Sequence, residues 1–127
     1  MKQQFTELAD LTDAVYRSRL AGMQKIMRQE AQLRQSLQRL EQMSTGNDSF
    51  QQHDITMRAI GADLLWQGWV ARRRTELNMQ LANLLAQKSA ISRDLSLAFG
   101  RAQVAEALVE RERDHAATLR RRTGWDD

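Results

Sequence analysis

The chain has 127 residues with no proline and no cysteine, and its formal net charge is +3. Without cysteine it forms no disulfide and no thiolate metal site. A charge excess this small, spread among nearly as many acids, is weak ground for nucleic-acid or membrane binding. The abundance of Ala, Leu, Gln, Glu and Arg is typical of long helices. No segment has the ~18 apolar residues of a membrane span, and the first residues lack a signal-peptide core, so we expect a cytoplasmic protein.

The first predicted helix covers about residues 6–43, with Thr6 as a candidate N-cap. Along its second half, apolar residues recur at heptad spacing, and Glu30 is the polar exception. These apolar positions are Met23, Ile26, Leu33, Leu37 and Leu40. Such spacing predicts one stripe of the helix facing a partner helix.

Residues 44–49, with the sequence Ser-Thr-Gly-Asn-Asp-Ser, are the predicted turn. Gly46 and Asn47 suit the left-handed residue that closes a helix, and Asp48 or Ser49 can cap the next one. A loop this short favours two antiparallel neighbours. We therefore expect a single helical hairpin domain over residues 1–127, with helix two covering about 50–122.

Large apolar residues are dense between Leu64 and Val70. Trp66 and Trp69, three apart, share a helix face, and so do Gly61 and Gly68, seven apart. Two interpretations remain open. The tryptophans either cover the hairpin core or form an exposed anchor, since Trp is favoured at binding hot spots. Trp66 and Trp69 are therefore candidate partner-binding residues.

The longest pattern is a heptad stripe from Leu77 to Leu119 that is apolar except at Lys88 and Glu112. A repeat of this length predicts a coiled coil. If the turn centres near residues 46–47, residues from about 91 to 122 extend beyond the start of helix one. The stripe would then have no partner within the chain there. It predicts binding of another protein through Leu95, Ala98, Ala102, Ala105 and Val109.

The predicted fold class is all-α, a long antiparallel two-helix coiled-coil hairpin with the C-terminal helix overhanging. The alternative is a three-helix bundle, in which helix two breaks within residues 88–94, where suitable N-cap residues occur. No Gly or Pro marks that segment, and the heptad phase passes through it undisturbed. A continuous helix is therefore favoured.

The sequence offers few groups for catalysis. His53 and His115 lie in separate stretches with no further ligands nearby, and there is no glycine-rich phosphate loop or serine elbow. Arg72–Arg74 lacks the extended basic region of a basic leucine zipper. We expect no enzymatic activity, no cofactor, no metal site and no nucleic-acid partner, with contact to a membrane peripheral at most.

A shorter N-terminal helix, a turn and a longer C-terminal helix in a chain of this size resemble the FliJ-like flagellar export proteins and their injectisome counterparts. In residues the resemblance is most suggestive over 95–101 and 109–115, where a large apolar residue, an Arg and a charged run follow one another. The acidic pair usual near the end of the last helix is replaced here by Asp114 and His115.

The resemblance implies a non-enzymatic coiled-coil stalk in type III secretion and bacterial flagellum biogenesis. Such a stalk binds the hexameric export ATPase and contacts the export gate and export chaperones. The alternative is a self-associating cytoplasmic coiled-coil scaffold or adaptor, in which the overhanging stripe pairs with its own copy as a homodimer.

Overall fold

Two long α-helices, α1 over Lys2–Phe50 and α2 over Met57–Trp125, account for the described chain. The computed structural model describes residues 1–50 and 57–125. The helices pack against each other as an all-α helical hairpin, which confirms the predicted fold class. Helix α2 is continuous through residues 88–94, so the three-helix alternative is wrong.

Helix α1 is longer than predicted at both ends. Its first residue is Lys2, and Thr6 Oγ1 donates a hydrogen bond to the Lys2 carbonyl oxygen at 2.9 Å, so Thr6 lies inside the helix and does not cap it. The predicted turn at residues 44–49 is wrong, because α1 continues to Phe50. Thr45 Oγ1 donates to the carbonyl oxygens of Glu41 and Gln42, the bonding that Thr makes within a helix. Each poor helix former here costs only about 1 kcal/mol or less, and no proline forces a stop.

The predicted bounds of helix two also change. Residue 50, its predicted start, belongs to α1, and the rest of that predicted beginning, including His53, lies outside the described residues. At the other end α2 passes through Gly124 and reaches Trp125, beyond the predicted end near residue 122. Asp126 and Asp127 also lie outside the described residues.

The described residues form two units, each containing one segment of α1 and one of α2. Unit 1 consists of Met1–Gln24 and of α2 from Ser89 onward, and unit 2 is Lys25–Lys88.

Unit 2 has a core of large aliphatic side chains. Leu40, Val70 and Leu77 form a buried cluster, against which further half-buried side chains pack, namely Leu33, Leu37 and Trp66. Ile26 and Leu84 are buried as well. The predicted stripe of helix one is therefore confirmed, because its members in this unit are buried or half-buried.

Unit 1 is built on smaller side chains. Ala98 and Ala105 are buried, together with Met23. The rings of Tyr16 and Phe99 contact each other, with centroids 5.5 Å apart and planes tilted by 53°. Since the distance between packed helices depends on the side chains at the contact, alanines allow the two segments to lie close together.

The pairing register within unit 1 differs from the prediction. We expected residues from about 91 onward to extend beyond the start of helix one, but Phe5 lines a groove with Leu108, Glu112 and His115. The predicted overhang is therefore mostly wrong, because the α1 segment of unit 1 packs along α2 as far as His115. Only the last turns of α2 extend past that groove.

Candidate protein-binding surface

The described residues form grooves that are open to solvent. One groove of unit 2, of about 620 Å³, is lined largely by amide and hydroxyl side chains, including Gln32, Ser36 and Asn83. Within residues 1–50 and 57–125, no group of three or more His, Cys, Asp or Glu side chains could hold a metal ion. None of the helices described is both long and apolar enough to span a bilayer. The candidate binding surfaces of the described residues are formed by exposed apolar side chains.

The five predicted partner-binding residues of the α2 stripe all lie in unit 1, and none is fully exposed. Ala105 is 2% exposed and Ala98 is 5% exposed, while Leu95, Ala102 and Val109 are half-buried. The expectation that this stripe has no partner within the chain is wrong, because the α1 segment of unit 1 packs along it. Burial leaves Ala98 and Ala105 without a surface for another protein. For Leu95, Ala102 and Val109 such a contact stays a prediction.

The two tryptophans divide between the two interpretations that the sequence left open. Trp66 is half-buried and packs against the cluster of Leu40, Val70 and Leu77. Trp69 is 43% exposed and stacks on Trp66, with ring centroids 5.2 Å apart and planes at 22°. The buried Trp66 Nε1 has no hydrogen-bond acceptor among the described residues. Trp66 is thus a core residue, and it supports an exposed Trp69.

Trp69 belongs to a larger apolar surface of unit 2, which we call the α2 outer face. Its members are all exposed and lie on the side of α2 away from Trp66, Val70 and Leu77, namely Ile60, Gly61, Leu64, Leu65, Gly68 and Trp69. Leu64 is 65% exposed and Leu65 is 75% exposed. From the sequence we predicted that the two tryptophans share a helix face and that the two glycines do so as well, but we did not predict the α2 outer face. The sequence feature that indicated this face is a higher density of Leu and Ile than one narrow stripe needs.

Unit 1 exposes apolar side chains on both of its segments. We call them the unit 1 stripes, consisting of Leu8, Leu11 and Val15 on α1 and of Leu97 and Val104 on α2. Spacings of three, four and seven residues place the members of each stripe on one side of a helix. Scattered exposed leucines are ordinary, but aligned ones are typical of contact surfaces.

Charged side chains border the α2 outer face on its C-terminal side. Arg73 pairs with Glu76 at 3.1 Å. Arg72 and Arg74 have no ion pair with any described residue. All three arginines are exposed.

A second charged group lies within unit 2, between the two helices. Glu30 Oε2 accepts a hydrogen bond from Lys88 Nζ at 2.9 Å, and Oε1 accepts one from Arg34 Nη2 at 3.0 Å. The Glu30 side chain is only 14% exposed. The Lys88 hydrogen bond, and after it the Arg34 one, lowers the pKa of the Glu30 carboxyl below its ordinary value. This group therefore stays ionised at neutral pH and ties one helix to the other.

His115 lines a groove of unit 1 with Met1, Phe5, Leu108 and Glu112. Its surroundings are those of a helix-surface residue beside an apolar contact.

Comparison with protein-family models, with curated proteins and with solved structures found no match for this chain.

Proposed function

We propose that this protein is a non-enzymatic coiled-coil stalk of a flagellar or type III protein export apparatus. In this role it binds the hexameric export ATPase in the cytoplasm and couples it to the export gate, with export chaperones as further partners. The observation that carries the proposal is the construction of unit 1, where two closely packed helical segments present aligned apolar side chains to the outside.

The interior of unit 1 supports this role through its small size. Ala98 and Ala105 lie buried between the segments, and such small side chains allow two helices to approach closely. A narrow helical pair suits insertion into the central opening of a ring of ATPase subunits. From the sequence we predicted that the alanines themselves contact the partner protein. In the folded unit Ala98 and Ala105 instead lie buried between the two segments.

The surface of unit 1 supplies the contact residues of the proposal. The unit 1 stripes place Leu11 and Leu97 outward, each more than half exposed. Apolar side chains on a rigid helix contribute to binding by removing their surface from water. The protein would act by contact alone, promoting assembly of the ring and transmitting its state to the gate.

The homodimer alternative based on the α2 stripe has weaker support. It required an overhanging stripe free to pair with its own copy, and α1 covers that stripe in unit 1.

The experiment that tests the proposal is a tagged pull-down from the native cytoplasm with nuclease added, read by mass spectrometry. We expect recovery of a hexameric secretion ATPase. We further expect Leu11→Glu combined with Leu97→Glu to weaken that recovery by roughly tenfold or more, since each places a charge in an apolar contact.

Met27→Glu is the matched control, because Met27 is similarly exposed but belongs to unit 2. Circular dichroism should show unchanged helicity for all variants. If no ATPase is recovered, or if Met27→Glu lowers recovery as much as the double variant, the proposal is wrong.

A further inference from the structure

The α2 outer face is an apolar surface that stays exposed in the hairpin. Its six residues, at positions 60, 61, 64, 65, 68 and 69, are exposed, although four of them carry large apolar side chains. At 100° per residue they occupy one side of the helix, and Trp66, Val70 and Leu77 occupy the other. An apolar surface aligned in this way on a rigid helix is typical of a binding site.

Two glycines lie along the middle of this face. A Cβ atom added at Gly61 or Gly68 would meet no described atom within 4 Å, and neither residue has a positive φ. The hairpin thus has no need of glycine at either position, although glycine weakens a helix relative to alanine. Because glycine has no Cβ atom, it allows another backbone to approach the helix closely. Leu64 lies on one side of the glycine line and Leu65 on the other.

The arrangement is symmetric about the point midway between Leu64 and Leu65. Rotation by 180° about that point exchanges the levels of Gly61 and Gly68, and those of Ile60 and Trp69. We infer that the α2 outer face binds the same face of a second copy of this chain, with the two α2 helices antiparallel. Gly61 of each copy then faces Gly68 of the other, as in a self-complementary two-fold interface. The two Leu65 side chains meet on one side of the glycine contact, and the two Leu64 side chains meet on the other.

The arginines favour this antiparallel orientation. Arg72 borders the face and has no ion pair with any described residue. In the antiparallel pair the two Arg72 residues lie about 22 Å apart along the helix axes, at 1.5 Å per residue, which is well beyond the Debye length of about 8 Å. A parallel pair would place them side by side, where like charges repel.

The size of the face indicates a weak dimer. Each copy offers roughly 400–500 Å² here, so the pair would bury on the order of 800–1,000 Å², the range of transient complexes. A bilayer surface is the competing occupant, because Trp and Arg are also favoured there. Binding to lipid, however, requires neither glycines in the middle of the face nor a two-fold arrangement of its residues. Binding to a second copy of the chain depends on both. This inference does not rest on the proposed export function.

The first test is analytical ultracentrifugation of the full chain from about 1 to 300 μM, a range that covers micromolar affinities. We expect a monomer–dimer equilibrium that Leu65→Glu weakens by roughly tenfold or more, since it buries a charge beside the two-fold axis. Met27→Glu, a similarly exposed position on α1, should leave the equilibrium unchanged. A wild-type chain that stays monomeric throughout, or equal effects of the two variants, would overturn the inference.

The second test fixes the orientation, and it uses the absence of cysteine from the chain. Under mild oxidation Leu65→Cys should form a disulfide-linked dimer, whereas Arg72→Cys should not, because its partner is too distant. Efficient linking through Arg72→Cys would overturn the antiparallel arrangement. Binding of the monomeric wild type, but not of Leu65→Glu, to vesicles of phosphatidylserine and phosphatidylcholine would assign the face to a membrane and overturn the inference.

Discussion

The Lys88 ammonium and the Glu30 carboxylate lie 2.9 Å apart, so the polar exceptions of two apolar stripes meet within unit 2. Each residue interrupts its own heptad pattern, and a charged side chain packs poorly against an apolar one. The contact between Lys88 and Glu30 gives each charged group a partner of opposite charge. A polar pair at such positions selects one register over others, a role well attested in coiled coils.

We expect acid to remove the contribution of this pair to stability. The pKa of the Glu30 carboxyl is lowered from 4.5 by Lys88 first and by Arg34 next. A carboxyl whose pKa is lower in the folded chain contributes stability that is fully present above its ordinary pKa and is lost as pH falls through the folded value. Urea unfolding should therefore show a decline in the free energy of unfolding below about pH 5, and Glu30→Gln should flatten that decline.

Glu76→Gln is the control for the pH experiment. Glu76 and its partner Arg73 are both largely exposed, and exposed pairs contribute little. An unchanged pH dependence in Glu30→Gln would contradict the role assigned to the pair.

Trp66→Phe should be tolerated better than an ordinary core truncation. The smaller ring loses apolar contact with the Leu40 cluster, but it also removes a buried N–H group that has no acceptor among the described residues. An unpaired buried donor costs about 1–3 kcal/mol, so we expect the free energy of unfolding to change by about 1 kcal/mol or less. Leu77→Ala, at a buried position of the same cluster, should cost about 2–5 kcal/mol. If Trp66→Phe and Leu77→Ala lower the free energy of unfolding equally in urea, the indole N–H group has a hydrogen-bond acceptor.

Ala105→Glu should disrupt unit 1. Ala105 is 2% exposed, so a larger and charged side chain has neither room nor solvent there. We expect a loss of about 3 kcal/mol or more in the free energy of unfolding, with increased hydrogen exchange in residues 1–24 and 89–125. Val104→Glu, one residue earlier and exposed, should change the free energy of unfolding by about 0.5 kcal/mol or less. An Ala105→Glu protein as stable as the wild type would mean that α1 does not cover this position.

Gly61→Ala combined with Gly68→Ala should strengthen the hairpin and weaken self-association. Neither new methyl group meets a described atom within 4 Å, so each replacement should add about 0.5–1 kcal/mol to the free energy of unfolding. The same methyl groups would separate the two backbones of the inferred dimer. Thermal unfolding measures the first effect, and ultracentrifugation measures the second.

Gly100→Ala is the matched control for the glycine pair. Its Cβ also meets nothing described within 4 Å, but Gly100 lies in unit 1. It should raise stability without changing the dimerisation constant. A double glycine variant that dimerises as well as the wild type would remove the glycines from the interface.

The heptad pattern was sufficient to identify the two helices, the absence of a break at residues 88–94 and the inward residues of both stripes. Met23, Ile26 and Leu40 on α1, and Leu77, Leu84, Ala98 and Ala105 on α2, are all buried where the pattern placed them. These properties are predictable because helical periodicity is a local property, visible within a few turns of sequence.

The partner of each stripe was decided only by the tertiary structure. A heptad stripe matches itself after every shift of seven residues, so its apolar positions do not specify which residues lie opposite one another. The expected turn at residues 44–49 set one register, whereas the long α1 and the contact between Glu30 and Lys88 set another. That difference moved the alanine stripe from a free surface to an interior. Helix formation depends on neighbours in sequence, but register depends on which distant side chains satisfy each other.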